Sequence, residues 1–221
     1  MTVFRSIEEN YSTEFIRKGI HLFSLLIPVI YAFIPRSTAL AILLPLAAVF
    51  AVSDVARLVI PSFGRFYLTL FGFLLRNHEL NHKGRRLTGA TYVLLAALIM
   101  VGLFPKVIAL TALSILIVSD TSAALIGRRF GRHGFLTKSV EGSSAFFLTA
   151  ILVVAVAPKI DYRLGEYLIG GAGALVGALV EASGIGLDDN LSIPLSVGGV
   201  MWILYVLFLP GLEIFRLDQL M

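Results

Sequence analysis

Long apolar segments recur from Ile20 to Leu209, and this feature alone removes a water-soluble domain from consideration. Of 221 residues, 57% are hydrophobic and 14% charged, against a usual charged share of roughly a quarter. So few polar side chains cannot cover a soluble surface. The expected fold class is all-α: a polytopic transmembrane helix bundle of about seven spans, with residues 1–221 forming a single integral-membrane domain. The chain has no cysteine, which excludes thiolate catalysis, cysteine–zinc sites and disulfides. The first apolar run ends in YAFIPRST, without a small-x-small cleavage pattern, and is expected to be an ordinary first span.

The spans are expected near Ile20–Ile34, Ala39–Ile60, Thr88–Leu103, Val107–Ser119, Gly142–Ala157, Leu168–Val180 and Ile193–Leu209. Several fall short of the ~20 residues of a straight crossing. Leu168–Val180, rich in glycine and alanine, reads either as a crossing or as a re-entrant or broken helix. FGRFYLTLFGFLLRNHEL, between the second and third spans, mixes aromatics with Arg65 and Arg76 and suits a helix lying in the interface. With the N-terminus inside, thirteen Lys and Arg fall on the inner side and five outside: Arg36, Lys106, Lys159, Arg163 and Arg216. That bias places the N-terminus and the loop after Ser119 in the cytosol. The expected location is the plasma membrane of a prokaryote.

Six carboxylates stand at or inside span ends: Asp54, Asp120, Glu141, Glu181, Asp188 and Asp189. An ionised carboxylate in mid-bilayer costs about 2.5–3.5 kcal/mol on insertion scales, so such groups face a partner or a wet cavity. Lys and Arg, a divalent metal, or both would balance them. Mg²⁺ suits this inventory, because it takes one or two carboxylates together with phosphate oxygens.

Asp120 is expected at the cytosolic end of the fourth span. Ala123, Ala124 and Gly127 follow it at helical spacing, so its face carries little bulk and admits either a ligand or a second helix. Gly127 and Gly131 bracket Arg128 and Arg129 in what reads as a flexible cationic turn able to meet phosphate. Lys138 and Ser139 then introduce the next span, whose start is an anion site. A positive-inside loop touching lipid phosphates is an equally good local reading.

Other residues carry two readings as well. Glu141 after a Ser139 cap simply favours the helix dipole, and Asp189 or Asn190 reads as a cap for the last span with Pro194 in its first turn. Glu181 has no cation within seven residues on either side. Asp54 and Arg57 neutralise each other at three-residue spacing. Arg17, Lys18 and His21 share one headgroup-level region, as a snorkelling cluster or as a phosphate site. Gly173 and Gly177 read as helix packing. His78, His82 and His133 receive no role.

Four stretches together carry a family resemblance: EFIRKGIHLFSLLIP, SDTSAALIGRRFGRHG, KSVEGSSA and VEASGIGLDDNLSIPL. In this order, from Glu14 to Leu195, they resemble the CTP-dependent lipid kinase family of dolichol kinase, phytol kinase and CTP-dependent diacylglycerol kinase. The middle pair is also similar to phosphatidate cytidylyltransferases, but the Pro-Gly-His-Gly-Gly run of those enzymes is absent, and LDDNLSIP stands in its place. The resemblance implies transfer of the γ-phosphoryl of CTP to the hydroxyl of a membrane lipid such as a polyprenol, phytol or diacylglycerol. It implies catalytic roles for Asp120 and for Glu141 or Glu181. It implies phosphate binding by Gly127, Arg128, Arg129, Gly131, Lys138 and Ser139, and by Arg17, Lys18 and His21. Mg²⁺ would be held by Asp120 with Asp188, Asp189 and Asn190. The expected partners are CTP, the lipid alcohol and the bilayer, with no nucleic acid. A CDP-lipid synthase and a small ion or solute transporter are the competing readings.

Overall fold

The structure is a computed structural model; it describes residues 15–75, 87–184 and 187–219. Its described helices are α1 (Phe15–Phe33), α2 (Arg36–Val59), α3 (Pro61–Phe71), α4 (Gly89–Leu103), α5 (Lys106–Phe130), α6 (Val140–Val156), α7 (Leu164–Ser183), α8 (Asp189–Phe208) and the short α9 (Arg216–Gln219). A 3₁₀ turn, Gly72–Leu74, follows α3. Two-residue strands β1 (Gly134–Phe135) and β2 (Lys138–Ser139) pair antiparallel between α5 and α6. Five helices are long and apolar enough to cross a membrane, namely α1, α2, α5, α7 and α8, and α4 and α6 are shorter apolar helices. The chain is thus a polytopic helical bundle.

α5 is the axis. Its most apolar window is 78% buried, against 17% for α1 and 22% for α2. α6, α8 and α1 pack on α5, α7 fits between α6 and α8, and α2 packs on α4 and α3. Glycine makes the tight crossings. A Cβ on Gly173 would lie 2.9 Å from Met201, and one on Gly177 would lie 3.0 Å from Val197. The pair therefore serves the α7–α8 contact, as its spacing suggests.

Several sequence expectations are corrected. α7 is one continuous helix over Leu164–Ser183, neither broken nor re-entrant within those bounds, because its glycines pack against neighbours. α5 runs eleven residues beyond Ser119, since the small and apolar stretch after Asp120 keeps the helix going. Asp188, not Asp189 or Asn190, caps α8, accepting from the Asn190 N–H at 3.0 Å, and Pro194 lies inside the helix beyond its first turn. α3 accounts for the first part of the expected interfacial helix; Arg76 and the residues after it, with His78 and His82, lie outside the described residues.

Charged residues gather at the two ends of the bundle. At the end holding the α1–α2 and α4–α5 turns, Arg36 pairs with Asp218 at 2.9 Å, and Lys106 donates to the Ile34 carbonyl at 2.9 Å. Glu166, fully buried, accepts the backbone N–H groups of Ile160, Asp161 and Arg163 at 2.7 to 3.1 Å. Asp161 joins Arg163 and Arg216, and Lys159 donates to the carbonyls of Val154 and Ala157. These are the five cations assigned to the outer side, each tying a turn or a helix end. The remaining carboxylates singled out in the sequence lie toward the other end.

Candidate active site

α5 delivers Asp120 to a point 14 residues from Lys106 and ten from Phe130, about 21 Å and 15 Å along the axis at 1.5 Å per residue. The carboxylate therefore lies well inside α5, where it is buried. Buried acids need partners. Lys18 of α1, buried like Asp120, forms an ion pair with its Oδ2, and His21 Nε2 lies 3.6 Å from the same oxygen. One helical turn separates Lys18 from His21, so a single face of α1 supplies both.

Beyond Asp120 the bare face of α5 is covered by a helix. A Cβ on Gly142 would lie 3.1 Å from the Ala123 carbonyl and 3.2 Å from Gly127 Cα, so α6 crosses α5 almost backbone to backbone. The expected flexible cationic turn is instead the regular end of a helix. Gly127 is helical and Gly131 closes α5, its N–H bonded to the Gly127 carbonyl at 3.0 Å. What both positions require is room: a Cβ on Gly131 would lie 2.8 Å from Ser139 Oγ, and one on Gly127 3.3 Å from it. Ser139 caps α6, its Oγ accepting from the Gly142 N–H at 3.1 Å. Arg128 and Arg129 are exposed in the last turn of α5, about 12 Å along the axis from Asp120, and Arg129 lies over the Phe130 ring.

The hairpin between α5 and α6 positions Lys138. Leu136 at its tip holds φ +52°, a left-handed conformation that a bulky side chain enters only under constraint. The constraint is Thr137, whose N–H and Oγ1–H both donate to the Ala182 carbonyl, at 3.0 and 2.8 Å. Gly184 ends α7 at φ +58°, and a Cβ there would meet Thr137 Oγ1 at 2.7 Å. This clasp sets Lys138 beside the end of α7. Its Nζ lies 3.3 Å from Glu181 Oε1 and 3.2 Å from Asp189 Oδ2, so two carboxylates from two helices converge on one ammonium nitrogen. Ser143 donates to the other Glu181 oxygen at 3.4 Å. Burial alone would lower the pKa of Lys138, but Asp189 and Glu181, with Asp120 behind them, outweigh it and hold the ammonium above its ordinary value.

The sequence-derived residues thus sort into groups. Lys18, His21 and Asp120 meet on one side, and Lys138, Glu181 and Asp189 on the other, near enough that Asp120 acts electrostatically on Lys138. Glu141 stands apart. Its carboxylate accepts from the N–H groups of Arg132 and His133, at 3.1 and 3.4 Å, and lies 2.7 Å from His133 Nδ1, closing the base of the hairpin. Asp188 Oδ1 is occupied by the N–H and the side-chain amide of Asn190. Among the described residues no three histidine or acidic side chains gather as a metal centre. Asp54 pairs with Arg57 at 3.4 Å, as its spacing predicts, and also accepts from Thr88 and Thr91. Thr137, Ser143 and Gly184 were missed from the sequence. Their only signal was proximity to the Lys138 and Glu181 motifs.

A cavity of about 700 Å³ adjoins the first group. It lies between α1 on one side and α2, α3 and α4 on the other, with Asp120 and Asn190 in its wall.

No protein-family model matches the chain, and no solved structure matches it. An uncharacterised protein of Rickettsia prowazekii is 30% identical over 192 residues, 85% of this chain and 93% of that protein. A CTP-dependent diacylglycerol kinase of Schizosaccharomyces pombe is 29% identical over 156 residues, 64% of this chain and 69% of the yeast protein. The Saccharomyces cerevisiae protein of the same name is 30% identical over 202 residues, 80% of this chain, which spans only 63% of the length of that relative. The ordered motifs from Glu14 to Leu195 and these relatives support the CTP-dependent lipid kinase family for this chain.

Proposed function

We propose that this protein transfers the γ-phosphoryl group of CTP to the hydroxyl of a membrane lipid alcohol, with diacylglycerol, the acceptor named for its yeast relatives, as the first candidate and polyprenol or phytol as the comparators. One observation carries the reading: a buried carboxylate, Asp120, stands between Lys18 with His21 on one side and a second cluster of one lysine and two carboxylates on the other. Phosphoryl transfer asks mainly for in-line positioning and for neutralised phosphate oxygens. The two clusters divide those tasks.

Asp120 orients the lipid hydroxyl by accepting its hydrogen bond, and Lys18 holds the Asp120 carboxylate in place through its ion pair. Lys138 meets the polyphosphate, with Arg128 and Arg129 on the approach from the cytosol and Arg17 and His21 toward the lipid phosphate that forms. Ser139 and the glycines at 127 and 131 serve this end by holding the hairpin against α5. Mg²⁺ fits the donor set, because Glu181 and Asp189 already converge on one cation; when bound by them it would neutralise charge on phosphate oxygens. Asp188 Oδ1 already accepts from the backbone and side-chain N–H groups of Asn190, so the metal role goes to Glu181 and Asp189 and a structural one to Glu141. The hairpin end of the bundle faces the cytosol, where CTP is dissolved.

The test is incubation of the purified protein, in detergent with Mg²⁺ and with diacylglycerol, polyprenol, phytol and phosphatidate supplied in turn, with CTP labelled at the γ- or the α-phosphate. Label in lipid from the γ-position is expected. Label from the α-position identifies a cytidylyl transfer instead, and label from neither refutes both.

A further inference from the structure

We infer that the cavity between α1 and the α2–α3–α4 group is the acceptor subsite, taking the hydrocarbon tail of a lipid alcohol laterally from the bilayer with its hydroxyl at Asp120. This rests on the kinase reading for the identity of the hydroxyl, and on the shape and chemistry of the cavity for the rest. Its volume of about 700 Å³ falls within the range of about 300–1,000 Å³ of small-molecule sites.

The lining is graded along α1. Phe23, Leu26 and Ile27 of α1 face Leu46, Val49 and Phe50 of α2 across an apolar stretch. Toward the hairpin end the wall becomes polar, with Arg17, Lys18, His21, Asp120 and Asn190. Such a gradient matches an amphiphile whose one end is hydrocarbon and whose other end bears a hydroxyl before the reaction and a phosphate after it. The cations then complement the product, and Asp120 complements the substrate. A soluble metabolite would find most of the wall unsuited to it.

The walls also supply an entrance. α1 leans on α5, whereas α2 packs on α3 and α4, so the space between α1 and α2 is bounded by the two long helices that bury least. Phe23, Val49 and Leu46 line the cavity and are also exposed on the apolar flank of the bundle, at 72%, 65% and 41%. A tail can pass between these side chains without leaving hydrocarbon. α1 is interrupted at Ser24 and Leu25, beside the cavity, which gives that wall a local break in its helix. Tyr67 and Phe71 of α3 close the cavity on the side of the 3₁₀ turn.

The experiment is photolabelling of the full chain in nanodiscs with a diacylglycerol carrying a diazirine in one acyl chain, followed by peptide mapping. Label is expected on the segments holding Phe23 and Val49–Phe50, competed by unlabelled diacylglycerol and not by phosphatidylcholine. Label elsewhere, or equal competition by phosphatidylcholine, overturns the assignment. Val49→Trp fills the space from an exposed position, so folding is spared. It is expected to raise the KM for diacylglycerol about tenfold while the KM for CTP stays unchanged. An unchanged lipid KM counts against the subsite. Because labelling needs no turnover, competed label without phosphoryl transfer would refute the kinase reading alone, whereas transfer with label elsewhere would refute this one alone.

Discussion

At Asp120 a single buried carboxylate stands ten residues inside the end of α5. Its ion-pair partner, Lys18, arrives from α1, more than a hundred residues earlier in the chain. Asp120→Asn keeps the shape and removes the charge, and is expected to lower kcat about 10²–10³-fold, the scale of losing one preorganised electrostatic group. Turnover of the folded variant with γ-labelled CTP measures it, and unchanged turnover removes Asp120 from the reaction. Lys138 gives a prediction about pH. Its folded value is raised, so its ion pairs contribute stability fully below the unfolded value near 10.4 and lose it only as pH climbs through the higher folded value. Lys138 therefore stays charged throughout any practical assay. Lys138→Arg is expected to leave the alkaline limb of the kcat/KM profile, below about pH 10, where the parent protein has it. A limb that moves would assign the titration to Lys138.

Between elements, the clasp from the hairpin to α7 decides whether Lys138 meets Glu181. Gly184 is its weak point, since it needs both a left-handed backbone and space against Thr137. Gly184→Ala is expected to cost about 1–2 kcal/mol from the backbone alone, read as a lowered unfolding midpoint in detergent, and to weaken CTP use more than lipid use. Equal losses for both substrates would mean that the clasp does not act through Lys138. None of this could be seen from local pattern. Lys138 and Glu181 were each singled out by residue type, but their meeting depends on Thr137 reaching a carbonyl 45 residues away. The Asp54–Arg57 pair, by contrast, was legible, because three-residue spacing on one helix brings side chains together whatever surrounds it. The Asp120 face was half legible: its lack of bulk was plain, but whether a ligand or a helix filled the gap depended on Gly142 in another element.

The whole molecule separates its charges into two ends joined by apolar helices, and that polarity predicts its topology. The chain lacks cysteine, so single-cysteine variants report cleanly. His133→Cys and Tyr162→Cys, both exposed and at opposite ends, are expected to react with a membrane-impermeant maleimide from opposite sides, position 133 from the cytosol. Labelling of both from one side would contradict the bundle. Composition and hydropathy determined that the chain belongs in a bilayer, where the apolar helices of the described residues fall and which of the described cations mark which end, because transfer into lipid depends on each segment separately. The ordered motifs also pointed to the family that the relatives support. Tertiary structure decided the rest: that Asp120 is buried and held by Lys18, that Glu141 closes a hairpin while Glu181 shares Lys138 with Asp189, and that an apolar cavity opens beside the carboxylate. Those outcomes arise from pairings between distant helices, and residue type and spacing carry no information about which distant partner a charge will find.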